Sequence, residues 1–170
     1  HYYVDEDVQD VADYIGDSFY LSKVATKVSQ DRIIFAGVEF MGESAKILNP
    51  KKRVFMPDMN ADCPMAHMAD KDEILALREK YDDLAVVCYI NSTAELKKYS
   101  DVCVTSSNAV KIVKNLPNKN IFFIPDRNLG SYVAKQCPDK NFIFNNGCCP
   151  RHVVITKDMV LKAKELHPEA

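Results

Sequence analysis

Short apolar runs alternate with stretches of helical periodicity along this chain. Six runs are typical of strands: IIFAGV (33–38), RVFMPD (53–58), LAVVCYI (84–90), DVCVTS (101–106), NIFFIP (120–125) and NFIF (141–144). Because each run is apolar nearly throughout, we expect strands that are covered on both faces. A strand, helix, strand order predicts right-handed crossovers and parallel pairing. The sequence therefore predicts an α/β fold, built from three-layer α/β/α units with parallel sheets.

The helical stretches have recognisable starts. The longest covers residues 8–28, and the others contain GESAKIL, DKDEILALREKY, STAELKKY, SNAVKIVKNL, NLGSYVAKQ and TKDMVLKAKELH. Asp70 and Ser92 each precede a glutamate by three residues, a pattern typical of a helix N-cap. Thr156 stands at a third predicted start.

An internal repeat divides the chain. The segment SAKILNPKKRVFMPDMN is similar to the later segment AVKIVKNLPNKNIFFIPDRN, and their shared prolines, Pro57 and Pro125, lie 68 residues apart. A repeat of this size predicts two α/β units, 1–82 and 83–170. Successive βα units also resemble one another by composition, but the shared PD-x-N favours duplication. The cysteines do not follow the repeat.

Composition excludes several function classes. A net charge of −2 provides no basic face for a phosphate backbone, so nucleic acid is not an expected partner. No apolar run approaches the roughly 20 residues of a membrane helix, and no signal-peptide pattern opens the chain. Six cysteines without paired spacings predict reduced thiols. We therefore expect a cytoplasmic protein, with Cys88, Cys103 and Cys137 as small buried hydrophobes.

The remaining cysteines lie in loops beyond strands. Cys63 stands in PDMNADCPMAHMA after one strand, and Cys148 and Cys149 stand in NNGCCPRH after another. Open α/β sheets bind ligands at the carboxyl ends of their strands. The 86 residues between Cys63 and Cys149 exclude the compact spacings of zinc ribbons and ferredoxins. A metal site would join two units, and inert thiols remain the alternative.

Other residues at this edge permit two interpretations. Thr105 to Asn108 join a strand to a helix, which suits either an anion site or a plain N-cap. Tyr89 at a strand end is typical of amphipathic packing. The phrase Asp126 to Gly130 is turn chemistry. We interpret His67 and His167 as surface residues, and Met65 and Met68 as packing around the cysteine loop.

These phrases together resemble the quinolinate synthases, iron–sulfur enzymes of NAD biosynthesis. The resemblance rests on HYY (1–3), C-x-M-A after Cys63, YIN (89–91), TSSNAV (105–110) and G-x-C-x-x-H (147–152), and runs nearly end to end. It implies a [4Fe–4S] cluster held by three cysteines, one from each of three similar domains, with the fourth iron open to substrate. Cys63 matches the first ligand. Cys149 matches the second, which leaves Cys148 at a variable position.

The resemblance also implies a reaction and its residues. Iminoaspartate, supplied by an enzyme such as L-aspartate oxidase, condenses with dihydroxyacetone phosphate to give quinolinate, phosphate and water. The implied catalytic residues are Tyr3, Tyr89 and Asn91. The implied substrate-binding residues are His1, Ser18, Tyr89, Ile90, Asn91 and Ser106. Asn145 replaces the family's usual tryptophan, and Val153 and Val154 replace an acidic residue that is common after the histidine.

The family pattern implies a third domain that carries the third cysteine. We therefore expect this chain to be about the first two-thirds of a synthase, cut at both ends and inactive alone. One rival is a zinc or redox module that uses Cys63, Cys148, Cys149 and His152. Another is a doubly wound small-molecule-binding domain in which the cysteines are incidental.

Overall fold

The structure, a computed structural model, describes residues 1–170. The strands are β1 (Arg32–Ile34), β2 (Arg53–Phe55), β3 (Leu84–Tyr89), β4 (Val102–Val104), β5 (Asn120–Ile124) and β6 (Asn141–Phe144). The helices are α1 (Glu6–Asp10), α2 (Ser18–Lys27), α3 (Glu39–Leu48), α4 (Lys71–Lys80), α5 (Ala94–Lys98), α6 (Ala109–Asn115), α7 (Arg127–Gln136) and α8 (Lys157–Leu166). A 3₁₀ turn covers Pro64–His67. Five of the six predicted runs contain an observed strand, and the sixth, 33–38, overlaps β1 only at Ile33 and Ile34.

All strand pairs are parallel, which confirms the predicted α/β class. Strands β1 and β2 form one sheet, and a second sheet has the order β4-β3-β5-β6. In the second sheet the chain first moves from β3 to β4 on one side and then crosses to β5 on the other. The strand order therefore reverses between β3 and β5, which is where open α/β sheets bind ligands.

The second sheet is covered on both faces, as the sequence predicts. Val87 and Phe123 point to one face, where they pack with residues of α6 and α7. Val86 and Phe122 point to the other face, where they pack with Ile74 of α4 and with α5. Alternation of side chains along each strand supplies both cores, which makes this unit three layers thick.

The first sheet departs from the prediction of two covered faces. Ile33 and Val54 pack on the core formed by α2 and α3. Ile34 and Phe55 face the other way and are 76% and 49% exposed. Both helices pack on the same side of this two-stranded sheet, so the apolar composition of its strands does not correspond to burial on two faces.

Two predicted helix boundaries are wrong and two are confirmed. The stretch 8–28 is interrupted between α1 and α2, and α2 begins after Asp17, whose side chain accepts the Tyr20 N–H. Thr93, not Ser92, caps α5. The Ser92 hydroxyl is buried without a hydrogen-bond partner. Asp70 and Thr156 cap α4 and α8 as predicted, although Asp70 accepts from Asp72.

Polar contacts join α3, which packs on the first sheet, to α5, which packs on the second. Lys97 of α5 donates to the Ser44 hydroxyl of α3 at 2.8 Å, and Glu43 of α3 accepts the Ala94 N–H at 2.7 Å. Cys88, paired in register with Cys103, lies beneath this contact. Burial lowers the pKa of Lys97. Cys88 and Cys137 are buried and Cys103 is half-buried, in line with their predicted packing role.

None of the helices has the length and apolar character that crossing a bilayer requires.

Candidate active site

The reversal point of the second sheet places Tyr89 and Asp126 side by side. Tyr89 ends β3, and Asp126 follows the end of β5 by two residues. Cys88 and Ile124 are register partners in the adjacent strands. The two polar side chains therefore leave the same carboxyl edge of the sheet, which is the position where open α/β sheets form their ligand crevice.

Tyr89 is the centre of the residues that meet in this crevice. Burial raises the pKa of its hydroxyl, and the nearby negative charges of Asp126 and Cys149 raise it further. The nearby Ser106 hydroxyl acts in the opposite direction and lowers this pKa, and Tyr3 raises it. Because the net direction is upward, Tyr89 remains protonated and can donate a hydrogen bond at neutral pH. Tyr3, Ser106 and Cys149, all proposed from sequence, thus lie near enough to Tyr89 to influence its pKa.

The Cys149 loop is held from both of its sides. The Arg127 N–H donates to the Gly147 carbonyl at 2.8 Å, and the Gly147 N–H donates to Asn145 Oδ1 at 2.8 Å. Asn145 Nδ2 in turn donates to Glu73 of α4 at 3.0 Å. Asp126 accepts the Cys149 N–H at 2.6 Å. Backbone and side-chain bonds together fix this loop above the ends of β5 and β6.

The Cys63 loop contacts the Cys149 loop, although Cys63 itself packs against the core formed by α2 and α3. Cys63 immediately precedes the 3₁₀ turn, in which Met65 and Ala66 are buried. The turn ends at Met68, which lies directly against the Cys149 loop: a Cβ placed on Gly147 would lie 2.7 Å from the Met68 Cβ. The two loops that carry the candidate ligands are therefore in contact. Met65 and Met68 have the packing role expected of them.

Glycine at 147 is what allows this contact, and its replacement has a measurable cost. We expect Gly147→Ala to lower the free energy of unfolding by about 1–3 kcal/mol, because the added methyl meets Met68 Cβ and Asn145 Oδ1, both at 2.7 Å. Gly37→Ala is the matched control, since its nearest neighbour is the flexible Met41 sulfur at 3.0 Å. Urea unfolding of both variants checks this. Equal losses would mean that the two loops do not pack as described.

An acidic and histidine cluster lies beside Cys63. Ligand atoms of Glu39, Asp62 and His67 lie within 4.8 Å of one another. Asp62 accepts the Cys63 N–H at 2.7 Å and contacts His67 Nε2 at 2.6 Å. His67 is exposed, as the sequence predicts, yet it is paired. Through the bonds of Asp62 to Cys63 and His67, this group of side chains stabilises the start of the Cys63 turn.

The remaining residues implied by the resemblance make few polar contacts. The His1 amino group donates to the Ala36 carbonyl at 3.0 Å, and the His1 ring lies edge-on to Tyr3. Tyr3 is 92% exposed. Asn91 is half-buried just beyond β3, after Ile90, whose N–H donates to Val104. Ser18 is half-buried at the start of α2 and makes no side-chain hydrogen bond, so the structure does not link it to Tyr89.

Burial does not distinguish the adjacent thiols Cys148 and Cys149, since both are half-buried and unpaired. The distinction lies in their surroundings. Only Cys149 donates its N–H to Asp126, and only Cys149 contributes to the charge around Tyr89. Sequence reasoning assigned Asp126 to turn chemistry and missed this bond. The available signal was an aspartate just beyond the carboxyl end of a predicted strand, the position where α/β sheets place functional side chains.

Comparison with known proteins gives a consistent result. The sequence model of the family described as "Quinolinate synthetase A protein" matches residues 1–170. The quinolinate synthase of Fusobacterium nucleatum is 62% identical over 170 residues, which is all of this chain and 57% of the relative. Those of Caldicellulosiruptor saccharolyticus and Clostridioides difficile are 55% and 49% identical over the whole chain, each with 56% of the relative covered.

The chain thus spans somewhat more than half the length of these relatives, less than the two-thirds expected from sequence. The match nevertheless includes every residue that contributes to the crevice. The chain belongs to the quinolinate synthase family.

Proposed function

We propose that this chain supplies two of the three domains of a quinolinate synthase, with units 1–82 and 83–170 as those domains. The complete enzyme condenses iminoaspartate with dihydroxyacetone phosphate to quinolinate, with release of phosphate and water. One observation carries the proposal: the Cys63 and Cys149 loops meet, and Cys149 lies near Tyr89 where the strand order reverses. A cytoplasmic location is part of the proposal, since six unpaired thiols suit a reducing compartment.

The donor set fits an iron–sulfur cluster. Cys63 and Cys149 are half-buried, unpaired thiols on loops that touch, and thiolate sulfur is the ligand that Fe–S clusters use. We propose these two as protein ligands, with the third supplied outside this chain. When bound, an open-iron [4Fe–4S] cluster supplies a Lewis acid that assists the loss of a hydroxyl as water.

The chain's own side chains serve the substrates. The protonated Tyr89 hydroxyl can donate a hydrogen bond to a substrate oxygen and exchange a proton with it. Ser106 and its neighbours Thr105 and Ser107 offer hydroxyls that suit a phosphate or carboxylate. His1, Ser18, Ile90 and Asn91 complete the proposed substrate-binding set, and Tyr3 and Asn91 complete the proposed catalytic set with Tyr89. Iminoaspartate is unstable in water, so an L-aspartate oxidase is the proposed supplier.

Removal of the Tyr89 hydroxyl tests this role. In the protein extended to family length and loaded with its cluster, Tyr89→Phe should lower kcat for quinolinate formation by roughly 10²–10⁴-fold, the usual contribution of a positioned proton donor. Tyr132→Phe is the control, because Tyr132 is 56% exposed on α7. Iron content should be equal in both variants. An unchanged kcat in Tyr89→Phe would remove Tyr89 from the chemistry.

The pH dependence of the Tyr89 role has a definite sign. A raised pKa keeps the hydroxyl protonated to higher pH than in an ordinary tyrosine, whose pKa is about 10. The activity of the extended protein should therefore show no loss from Tyr89 ionisation below about pH 10. An alkaline limb near pH 8 that disappears in Tyr89→Phe would contradict this assignment.

A zinc module is the competing function, and metal analysis separates the two. Anaerobically prepared protein should contain iron and sulfide and absorb visible light. Stoichiometric zinc without iron would instead support the module that uses Cys148 and His152.

A further inference from the structure

Both proposed ligand cysteines share a feature of their backbone. Cys149 donates its N–H to Asp126 Oδ2 at 2.6 Å, and Cys63 donates its N–H to Asp62 Oδ1 at 2.7 Å. Cys148, the thiol next to Cys149, makes no such bond. Hydrogen bonds from N–H to an ionised carboxylate are short and about twice as strong as neutral ones. Each ligand loop is thus anchored by an aspartate at the residue that carries the sulfur.

The Asp126 anchor is built into the fold. Its side chain is 8% exposed, and Oδ1 caps α7 by accepting the N–H groups of Asn128 and Leu129 at 2.6 and 3.0 Å. The cap fixes the carboxylate and leaves Oδ2 directed toward the Cys149 N–H, 23 residues away in sequence. Three N–H donors satisfy the buried charge, so the carboxylate is held rigidly where β5 ends.

The Asp62 anchor is weaker by comparison. Asp62 is the residue before Cys63, and its side chain is 34% exposed and shared with His67. A rigid and buried partner constrains a loop more than an exposed neighbour does. Asp126 should therefore have the larger effect on its cysteine.

We propose that Asp126 is a positioning residue for Cys149. Its carboxylate accepts a hydrogen bond from the Cys149 N–H, which fixes the direction in which the thiol leaves the loop. The same bond prevents that N–H from donating to a cluster sulfur. The inference rests on the proposed function in one respect, since it takes Cys149 as a cluster ligand. Hydrogen bonds to the sulfurs help set the reduction potential of Fe–S clusters. An anchored N–H that cannot reach a sulfur, together with a nearby carboxylate, favours a low potential and suits a cluster used as a Lewis acid.

Asp126→Asn is the test, because it preserves shape and can retain the α7 cap through Oδ1. The group that replaces Oδ2 is then an NH₂, which cannot accept the Cys149 N–H. Asp70→Asn is the matched control: Asp70 caps α4 by the same kind of bond and contacts no cysteine. Asp62→Asn measures how much the weaker hydrogen bond, from the Cys63 N–H to Asp62, contributes.

The first readout uses the 170-residue chain without a cluster. Mass spectrometry follows alkylation of Cys149 relative to Cys63. In Asp126→Asn we expect the Cys149 to Cys63 rate ratio to change by about tenfold, in line with the loss of a hydrogen bond to a charged group. Asp70→Asn should leave the ratio unchanged. Asp126→Asn should melt several degrees below Asp70→Asn, because it loses a buried hydrogen bond. An unchanged alkylation ratio in a folded Asp126→Asn would overturn the proposal.

The second readout uses the extended, cluster-loaded protein. Asp126→Asn should lower its affinity for iron roughly 10- to 100-fold, as loss of a ligand's supporting partner commonly does, and shift the reduction potential upward. Asp62→Asn should have smaller effects. A potential equal to that of the wild type would overturn the electronic part of the role.

Two measurements keep the outcomes distinguishable. If Asp126→Asn fails to fold, hydrogen exchange of the Cys149 amide in the wild-type chain decides: strong protection supports the bond, and free exchange refutes it. If Cys149→Ser retains its cluster, the proposed function has the wrong ligand, whereas the alkylation result still decides whether Asp126 positions Cys149.

Discussion

Cys149→Ser in the protein extended to family length should abolish the iron–sulfur cluster, whereas Cys148→Ser should leave it nearly intact. The two thiols are adjacent and equally half-buried, but only Cys149 is anchored by Asp126 beside Tyr89. A cluster with one iron open to substrate needs one protein thiolate for each of its other three irons, so the loss of one ligand leaves it without a substitute. Anaerobic iron and sulfide analysis, with the visible spectrum, measures the effect directly.

The same pair of variants contains its own control. Both remove one sulfur from the same loop, so a general disturbance of the loop would affect them equally. Equal losses in Cys148→Ser and Cys149→Ser would show that the ligand register is wrong. Cys137→Ser provides a further control, because Cys137 is buried in the hydrophobic core at the end of α7 and belongs to neither ligand loop.

The 170-residue polypeptide should form no quinolinate, while the same chain extended to family length and reconstituted with iron and sulfide should be active. The reason is a count of ligands, since Cys63 and Cys149 supply two of the three thiolates that the proposed cluster requires. In the proposed three-domain enzyme the third domain would also exclude water from the site, which would strengthen the electrostatic contacts within it. Turnover by the short chain at the extended chain's rate would refute this count.

Binding separates the two causes of inactivity. If the missing thiolate alone were responsible, the short chain would still bind a dicarboxylate such as malate as tightly as the extended apoprotein does. An open crevice predicts weaker binding by the short chain, which calorimetry detects. If the short chain binds malate as tightly as the extended apoprotein does, the third domain would contribute only a cysteine ligand for the cluster.

The strands and their parallel pairing were predictable because each is a compact apolar run flanked by turn residues. The run 84–90 illustrates this: Val86 and Val87 are fully buried on opposite faces of the sheet. Composition could not separate that run from 53–58, since the number of strands and helices around a strand decides its coverage. Phe55 is exposed because α2 and α3 pack on the other face of β1 and β2.

The candidate site was only partly predictable, for a related reason. The resemblance to a family points to Cys63, Tyr89, Ser106 and Cys149, whereas their local patterns also suit inert thiols, amphipathic packing and an N-cap. Local pattern assigns Asp126 to a turn, because its bond to Cys149 joins residues 23 positions apart and sequence alone does not reveal it. Ser92 fits the cap pattern, but the neighbouring Thr93 provides the hydroxyl that reaches the helix. Side-chain partners are set by tertiary packing, and local pattern does not encode them.

Anaerobic quinolinate formation by the extended protein, with and without its cluster, tests the central claim most directly. Iminoaspartate and dihydroxyacetone phosphate are supplied together, and quinolinate and phosphate are measured over time. The account predicts one phosphate released per quinolinate by the cluster-loaded protein, and no turnover after chelation of the iron or in Cys63→Ser. Failure of the cluster-loaded protein to form quinolinate, or equal rates with and without the cluster, would contradict the account.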